Sequence, residues 1–255
     1  MTTGSNMTQE LRGLIFDFDG TIAETERHGQ RVAYNRAFAE LGLDWNWDEE
    51  LYADLLTVAG GRERLRYYLA RYRPERANTT SNERLIVELH RAKIRHFAAI
   101  APTIPFRPGV QRLIYEAHVA GLRVAIATTA SKPGVQALLA RDSALPGMID
   151  VIAANEAVER KKPAPDVYLW ALERLGLAPN ACIAIEDSNI GLRSALAANL
   201  TTIVTISDYT ARENFDGAAA VLSELGDYDV AARPIRGAVP PNGIVDLHYL
   251  RSLVA

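Results

Sequence analysis

The sequence predicts an α/β protein: a doubly wound parallel-sheet core carrying an inserted all-helical cap domain. Three observations support that fold class. Leu14-Ile15-Phe16-Asp17-Phe18-Asp19-Gly20-Thr21 runs an apolar strand straight into two carboxylates and a sharp Gly-Thr exit. From Arg107 onward, strand-length apolar runs alternate with helix-length periodic ones, the pattern of a parallel sheet covered on both faces. The block between these regions is helical throughout, so it interrupts the sheet rather than extending it.

Leu11–Phe16 is the opening strand. Ile22–Gly42 reads as one long helix, with Val32, Phe38 and Leu41 among its apolar residues and Gly42 as its stop. Asp44–Leu56 and Gly61–Tyr72 read as shorter helices, and Asn82–Ile100 as a fourth, on the spacing of Ile86, Leu89, Phe97 and Ile100. Ala101-Pro102-Thr103-Ile104-Pro105 breaks the chain as a linker. Then helix Pro108–Ala120 leads to strand Leu122–Ala127, and helix Pro133–Arg141 to strand Met148–Ala153. Helix Pro165–Leu175 leads to strand Ala181–Ile185, and helix Gly191–Ala198 to strand Thr201–Ile206. After Asp227, Pro234, Pro240 and Pro241 break the chain before a final helix at Ile244–Leu253. The core is thus residues 1–22 and 104–255, and the helical cap residues 23–103.

With 255 residues, 48% of them hydrophobic, the chain buries a sizeable core. A net charge of −3 and a pI near 6.0 exclude nucleic-acid binding as the main role. Cys182 is the sole cysteine, so there is no disulfide framework or thiolate metal site. Its apolar neighbours make it a buried small hydrophobe. No apolar run reaches the ~20 residues of a membrane span, and no secretory segment follows the polar start Met1–Glu10. The expectation is a cytoplasmic monomer with no membrane or nucleic-acid partner.

In doubly wound sheets the site lies beyond the carboxyl ends of the strands. The first strand delivers Asp17 and Asp19, the next Thr128 and Thr129, and Cys182–Ile185 delivers Glu186 and Asp187. Lys161-Lys162-Pro163 precedes helix Pro165–Leu175. Paired carboxylates after buried runs repel unless a cation joins them, and an all-oxygen ligand set suits Mg2+. Phosphoryl transfer needs a nucleophile, charge neutralisation, hydrogen-bond donors and an acid for the leaving oxygen. Asp17 can be the carboxylate nucleophile, and Asp19 can protonate the leaving oxygen and then activate water. Thr128 can hold phosphate oxygens, Lys162 supplies a compact positive charge, and Asp187 with Glu186 completes the oxygen cage. In the cap, Gly60-Gly61 opens a helix as a backbone anion site, with Arg62 and Arg64 adding charge. Trp45 and Trp47 read as cap packing.

Asp17-Phe-Asp19-Gly-Thr21, Thr128, Lys162-Pro-Ala-Pro-Asp166 and Glu186-Asp187-Ser188-Asn-Ile-Gly191 together resemble the four motifs of the haloacid dehalogenase superfamily of phosphohydrolases, in the same order and from about Leu11 to Gly217. The resemblance implies that Asp17 is the nucleophile and Asp19 the acid/base and a Mg2+ ligand through its backbone carbonyl. It further implies that Asp187 is a side-chain ligand with Glu186 in support, that Thr128 holds phosphate, and that Lys162 serves both Asp17 and phosphate. Ala23-Glu24-Thr25-Glu26, Leu43-Asp44-Trp45-Asn46-Trp47-Asp48, Gly60-Gly61-Arg62-Glu63-Arg64 and Tyr209-Thr210 are similar to the CbbY-like branch. That branch includes xylulose-1,5-bisphosphate phosphatase, which removes an inhibitory by-product of Rubisco. A phosphosugar substrate is thereby implied, bound by Thr129, Glu26, His28, Gly61, Arg62 and Arg64. One departure stands out: the branch has a His after Gly in the first cap helix, where this chain has Gly29-Gln30 with His28 just before.

Asp19 argues against haloacid dehalogenation, which needs no acid/base there, and the lack of lysine in Ile22–Gly42 argues against phosphonate cleavage. A phosphosugar mutase resembling β-phosphoglucomutase has the same catalytic set and remains open. So does a catalytically silent phosphosugar-binding regulator, against which the intact Asp17, Asp19, Lys162 and Asp187 set speaks.

Overall fold

The computed structural model describes residues 10–76 and 80–254. Most of the polar start read at Met1–Glu10, and residues 77–79 of the predicted cap, lie outside the described residues. Among the described residues, seven strands form one sheet in the order β3-β2-β1-β4-β5-β6-β7. They are β1 Gly13–Phe16, β2 Arg123–Ala127, β3 Val151–Ala153, β4 Cys182–Glu186, β5 Thr201–Thr205, β6 Ala220–Leu222 and β7 Pro234–Gly237. Neighbours run parallel except β6 and β7.

The strand period explains the two-faced core. Leu14 lies beside Val124 on one side and Ile183 on the other, and successive side chains point to opposite faces. Leu14 and Phe16 therefore join Val124, Ile126, Ile183 and Ile185 in one cluster, while Ile15 joins Ala125, Ala127, Cys182 and Ala184 in another. Helices α5 (Val110–Val119), α6 (Lys132–Leu139) and α9 (Leu247–Ser252) cover the first face. The second is covered by α7 (Asp166–Leu175) and by Ala195 of α8 (Asn189–Ala197).

The cap departs from the sequence reading where it leaves the sheet. The helix read at Ile22–Gly42 is an unbroken helical run only over residues 25–40: before it, Ala23 forms a β-bridge with Phe106, and the Arg107 N–H donates to the Ile22 carbonyl at 2.9 Å. The outgoing and returning chain thus run side by side. A π-helical turn, Glu26–Gln30, follows, and only then α1, Arg31–Glu40. Helix α2 starts at Glu49, not Asp44, because the Asp48 carboxylate accepts the Leu51 N–H at 2.8 Å as its cap and Trp47 is held by Asn35. Helices α3 (Gly61–Tyr72) and α4 (Thr80–Ile100) complete the cap. Its interior is aromatic: Tyr34, Phe38, Trp45, Trp47, Tyr52 and Tyr68 pack together, with Trp47 against Tyr34 at 4.5 Å between ring centroids. Phe97, Ile100 and Ile104 instead pack into the sheet-side cluster, so the last turn of α4 anchors the cap to the core.

Strands β6 and β7 are additions to the sequence reading. Strand β7 is a short antiparallel edge opened by Pro234, where a residue without an N–H is tolerated. Among the described residues, no helix is long and apolar enough to cross a membrane.

Candidate active site

Chain order steps outward from β1 in both directions, to β2 and β3 on one side and β4, β5 and β6 on the other. The crevice at such a switch point collects what the strand ends deliver. Asp17 follows β1, and its backbone N–H donates to the Ile185 carbonyl at 2.8 Å, which ties it to the end of β4. There Glu186 closes the strand, and Asp187 follows. These three buried carboxylates place oxygens within 4.8 Å of one another. Two glycines make that crowding sterically feasible. A Cβ on Gly20, whose φ is +84°, would overlap the Asp187 carboxylate, and one on Gly191 would overlap that of Glu186.

Lys162 enters from the loop before α7. Its Nζ donates to Asp17 Oδ1 at 2.7 Å and to Glu186 Oε1 at 2.6 Å, and the residue is only 6% exposed. Burial alone would lower its pKa, but the Asp17 and Glu186 carboxylates raise it above the ordinary lysine range. Burial pushes Asp17 up to about 8, against the pull of Lys162 and with a further push from Glu186. Asp187 is raised well above the usual carboxylate range by burial and by the same two carboxylates. One ammonium does not balance three buried carboxylates. An all-oxygen, net-negative cluster of this kind fits a hard dication such as Mg2+.

Asp19 does not join the cluster through its side chain. Its Oδ1 accepts the Gln30 amide N–H at 2.8 Å and the Thr25 hydroxyl, so its carboxylate faces the cap's first crossing. Asp17, Asp19, Lys162 and Asp187 nonetheless line one cavity of about 110 Å3 between core and cap. Its other walls include Glu26, Ala53, Thr57 and Arg64 from the cap, and Thr129, Ser188, Ser207, Tyr209 and Glu213 from the core.

Several residues singled out from the sequence sit elsewhere. Thr128 does not line the cavity: its hydroxyl accepts the Ala130 N–H at 2.9 Å within the turn after β2, and Thr129 is the threonine that borders the cavity. His28 is exposed on the π-helical turn, outside the cavity. Arg62 is exposed, whereas Arg64 is buried. Residues two apart on a helix differ by about 200° around its axis, so only one of the pair can face the cavity. Gly61 also lies off it, its carbonyl accepting the Tyr34 hydroxyl at 3.1 Å. Arg64 is already engaged within the cap. It donates to Tyr52 Oη at 3.0 Å and to the Leu55 carbonyl at 3.2 Å, and lies 3.9 Å from Glu26. Tyr52 donates in turn to Glu26. Burial raises the Glu26 pKa against the lowering effect of Arg64.

Two supporting residues escaped the sequence reading. The Tyr168 hydroxyl donates to Glu186 Oε1 at 2.5 Å, and its ring lies 5.0 Å from Lys162 Nζ. Its position six residues after Lys162, in the first turn of α7, was the available signal. Arg107 is buried, and its guanidinium donates to the carbonyls of Gly20, Thr205, Ile206 and Ser223. It thereby ties the loop after β1 to the ends of β5 and β6. No local sequence signal marks it.

A family model described as haloacid dehalogenase-like hydrolase matches residues 14–205. The chain is 47% identical to the plasmid-encoded protein CbbY of Cupriavidus necator, over 90% of this chain and 91% of that one. It is similar to crystal structures of CbbY from Rhodobacter sphaeroides, one in complex with phosphate and one, of a variant, with xylulose-1,5-bisphosphate. For each the TM-score is 0.77 and the identity 42%, covering 84% of this chain and 94% of the other. A β-phosphoglucomutase from Clostridium difficile has a TM-score of 0.72 at 19% identity, covering 96% of this chain and 97% of that one, and shares the fold alone. The chain belongs to the haloacid dehalogenase-like hydrolase family, within its CbbY-like branch.

Proposed function

We propose that this chain is a Mg2+-dependent phosphatase that hydrolyses a sugar bisphosphate, xylulose-1,5-bisphosphate, through an aspartyl-phosphate. The observation that supports this reading best is a single cavity bordered by Asp17 and Lys162 at its core end and by Arg64 at its cap end. Lys162, with the dication that the neighbouring carboxylates would hold, at one end and Arg64 at the other offer each of two phosphates a positive group, and the similar CbbY of Rhodobacter sphaeroides was solved with such a molecule.

Asp17, Asp187 and the Asp19 backbone carbonyl would hold the metal, with Glu186 behind them. When bound, Mg2+ supplies charge neutralisation for the carboxylates and the transferring phosphoryl group. Asp17 attacks phosphorus, forming an Asp17–phosphorus bond as the ester P–O bond breaks. The leaving oxygen keeps the electron pair and takes the proton from Asp19. Asp19, now a carboxylate, then accepts a proton from the water that attacks the aspartyl-phosphate. That step releases phosphate and restores Asp17. Lys162 orients Asp17 through Oδ1, and Thr129, on the cavity wall, would hold a phosphate oxygen. A silent regulator would need neither the nucleophile nor its paired lysine.

The test is phosphate release from xylulose-1,5-bisphosphate, other sugar mono- and bisphosphates and β-glucose 1-phosphate, with Mg2+ and with a chelator. Release favouring the pentulose bisphosphate, and lost on chelation, is the expected result. Conversion of β-glucose 1-phosphate to the 6-phosphate without net release would replace the reading with a mutase. Full activity after exhaustive chelation would remove the metal from it.

A further inference from the structure

We infer that Gln30 is a positioning residue for the acid/base Asp19, holding Oδ1 as an acceptor so that the transferable proton resides on Oδ2. The inference rests on the phosphatase reading above and concerns how that site keeps its acid in order.

Glu26–Gln30 forms a π-helical turn directly ahead of α1, closed by the Arg31 N–H donating to the Glu26 carbonyl. Single π-turns within helices recur at functional sites, and the wider turn changes the direction of the side chains on it. Here it sends Glu26 to the cavity and Gln30 to Asp19. The turn is anchored. A Cβ on Gly29 would press on Phe97 and Ile104 at 2.8 and 2.6 Å, so the backbone packs directly against the end of α4 and the returning chain.

Gln30 is 3% exposed. Its Nε2 donates to Asp19 Oδ1 at 2.8 Å, and the same oxygen accepts the Thr25 hydroxyl. Its Oε1 is buried without a partner. An amide placed for its own satisfaction would not leave its stronger acceptor orphaned. The reverse orientation would set Oε1 against a carboxylate oxygen, so Asp19 dictates the orientation. Two donors on Oδ1 disfavour a proton there. When Asp19 is the acid, Oδ2 carries the proton, and when it is the base, Oδ2 receives it. Both donors belong to the crossing into the cap, so the grip is set by the segment about which the cap is attached.

The test exploits leaving-group demand. A sugar alkoxide needs a proton as it departs, whereas para-nitrophenolate does not, and kcat/KM reports only steps through departure of the leaving group. Gln30→Met keeps the volume, removes the donor and removes the orphaned oxygen. We expect kcat/KM on a sugar phosphate that the wild type turns over to fall about tenfold or more, against less than about threefold on para-nitrophenyl phosphate. The melting temperature should be unchanged or raised. Gln30→Glu, which faces Asp19 with a second carboxylate, should widen that split. Parallel losses on the two esters, or no loss on either, would overturn the inference. Asp19→Asn serves as the benchmark: if it shows no leaving-group preference, the acid/base reading of Asp19 fails, and the role of Gln30 fails with it. Should the wild type ignore pentulose bisphosphates, only the substrate reading fails, because any alkyl monoester it hydrolyses still reports on Gln30.

Discussion

Asp17 has its ionisation opposed by burial, which places its pKa at about 8 against 3.8 for a free side chain. An acid raised in the folded state binds its proton more tightly there. Its stabilising contribution is therefore full below the unfolded value and lost as pH rises through the folded one. Burial holds His90 down at about 4 against an ordinary 6.5. It therefore acts in the opposite sense between those values, and stability rises with pH as it titrates. Above 6.5 the raised carboxyls of Asp17 and Asp187 act in the same sense, until the buried Lys93, lowered to about 8, begins to oppose them. Metal-free protein is therefore expected to lose thermal stability between pH 6.5 and 8. Asp17→Asn should lessen that slope, as read from melting curves in chelator. The same variant should release no phosphate with Mg2+ present while remaining folded, since a carboxamide is nearly isosteric but a poor nucleophile. Near-normal turnover by Asp17→Asn would reject the covalent route. A second residue-level expectation concerns Asp187. Asp187→Ala removes a ligand oxygen from the cluster, and the Mg2+ concentration that gives half-maximal activity should rise sharply. An unchanged Mg2+ titration would place the ion elsewhere.

Helix α3 shows how an element's phase decides which of its charges matters. Arg64 shares a buried stripe with Leu65, Tyr68 and Leu69, while Arg62 points to solvent. Arg64→Ala should leave the Glu26 carboxylate without its cation. Breaking a buried pair of this sort costs about 3 kcal/mol at the low end of the range, the low end being appropriate because the two side chains are 10% and 16% exposed. Arg62→Ala should stay within about 0.5 kcal/mol of the wild type. Denaturant melts distinguish the two. In activity, losing a charge-assisted contact to a distal phosphate is worth roughly 1.5–3 kcal/mol, or about 10- to 100-fold in kcat/KM. Arg64→Ala should show that loss on a sugar bisphosphate and be nearly silent on para-nitrophenyl phosphate, which does not reach the cap. Equal losses on both substrates would show that Arg64 only holds the cap together.

Across the whole molecule, the sheet buries its central strands on both faces, and Cys182 at the start of β4 is fully enclosed. Burial pushes its thiol up to about 12, with Arg12 pulling the other way. A neutral, enclosed thiol is unreactive. Native protein at pH 8 is therefore expected to resist alkylation by iodoacetamide, with labelling appearing only as denaturant unfolds the sheet. Rapid labelling of the folded protein would mean that the β4 region opens locally.

Much of this architecture is legible in residue order, because its rules are local. An apolar run ending in Asp17 and Asp19, or in Glu186 and Asp187, marks a strand and its functional end together. Strands alternating with helices then oblige a parallel sheet whose ends converge. By itself the sequence determined the α/β core, the helical insertion, and the meeting of Asp17, Lys162, Glu186 and Asp187. Other assignments depended on direction rather than identity. Thr129 rather than Thr128 borders the cavity because of the turn after β2. Arg64 is chosen over Arg62 by the rotation of α3, and Gln30 reaches Asp19 through a π-turn that no periodicity announces. Arg107 draws together carbonyls up to 116 residues away in sequence. Which way a side chain points is settled by packing between segments distant in the chain, such as Gly29 against Phe97 and Ile104. That packing exists only once the sheet, the crossing and the cap are assembled.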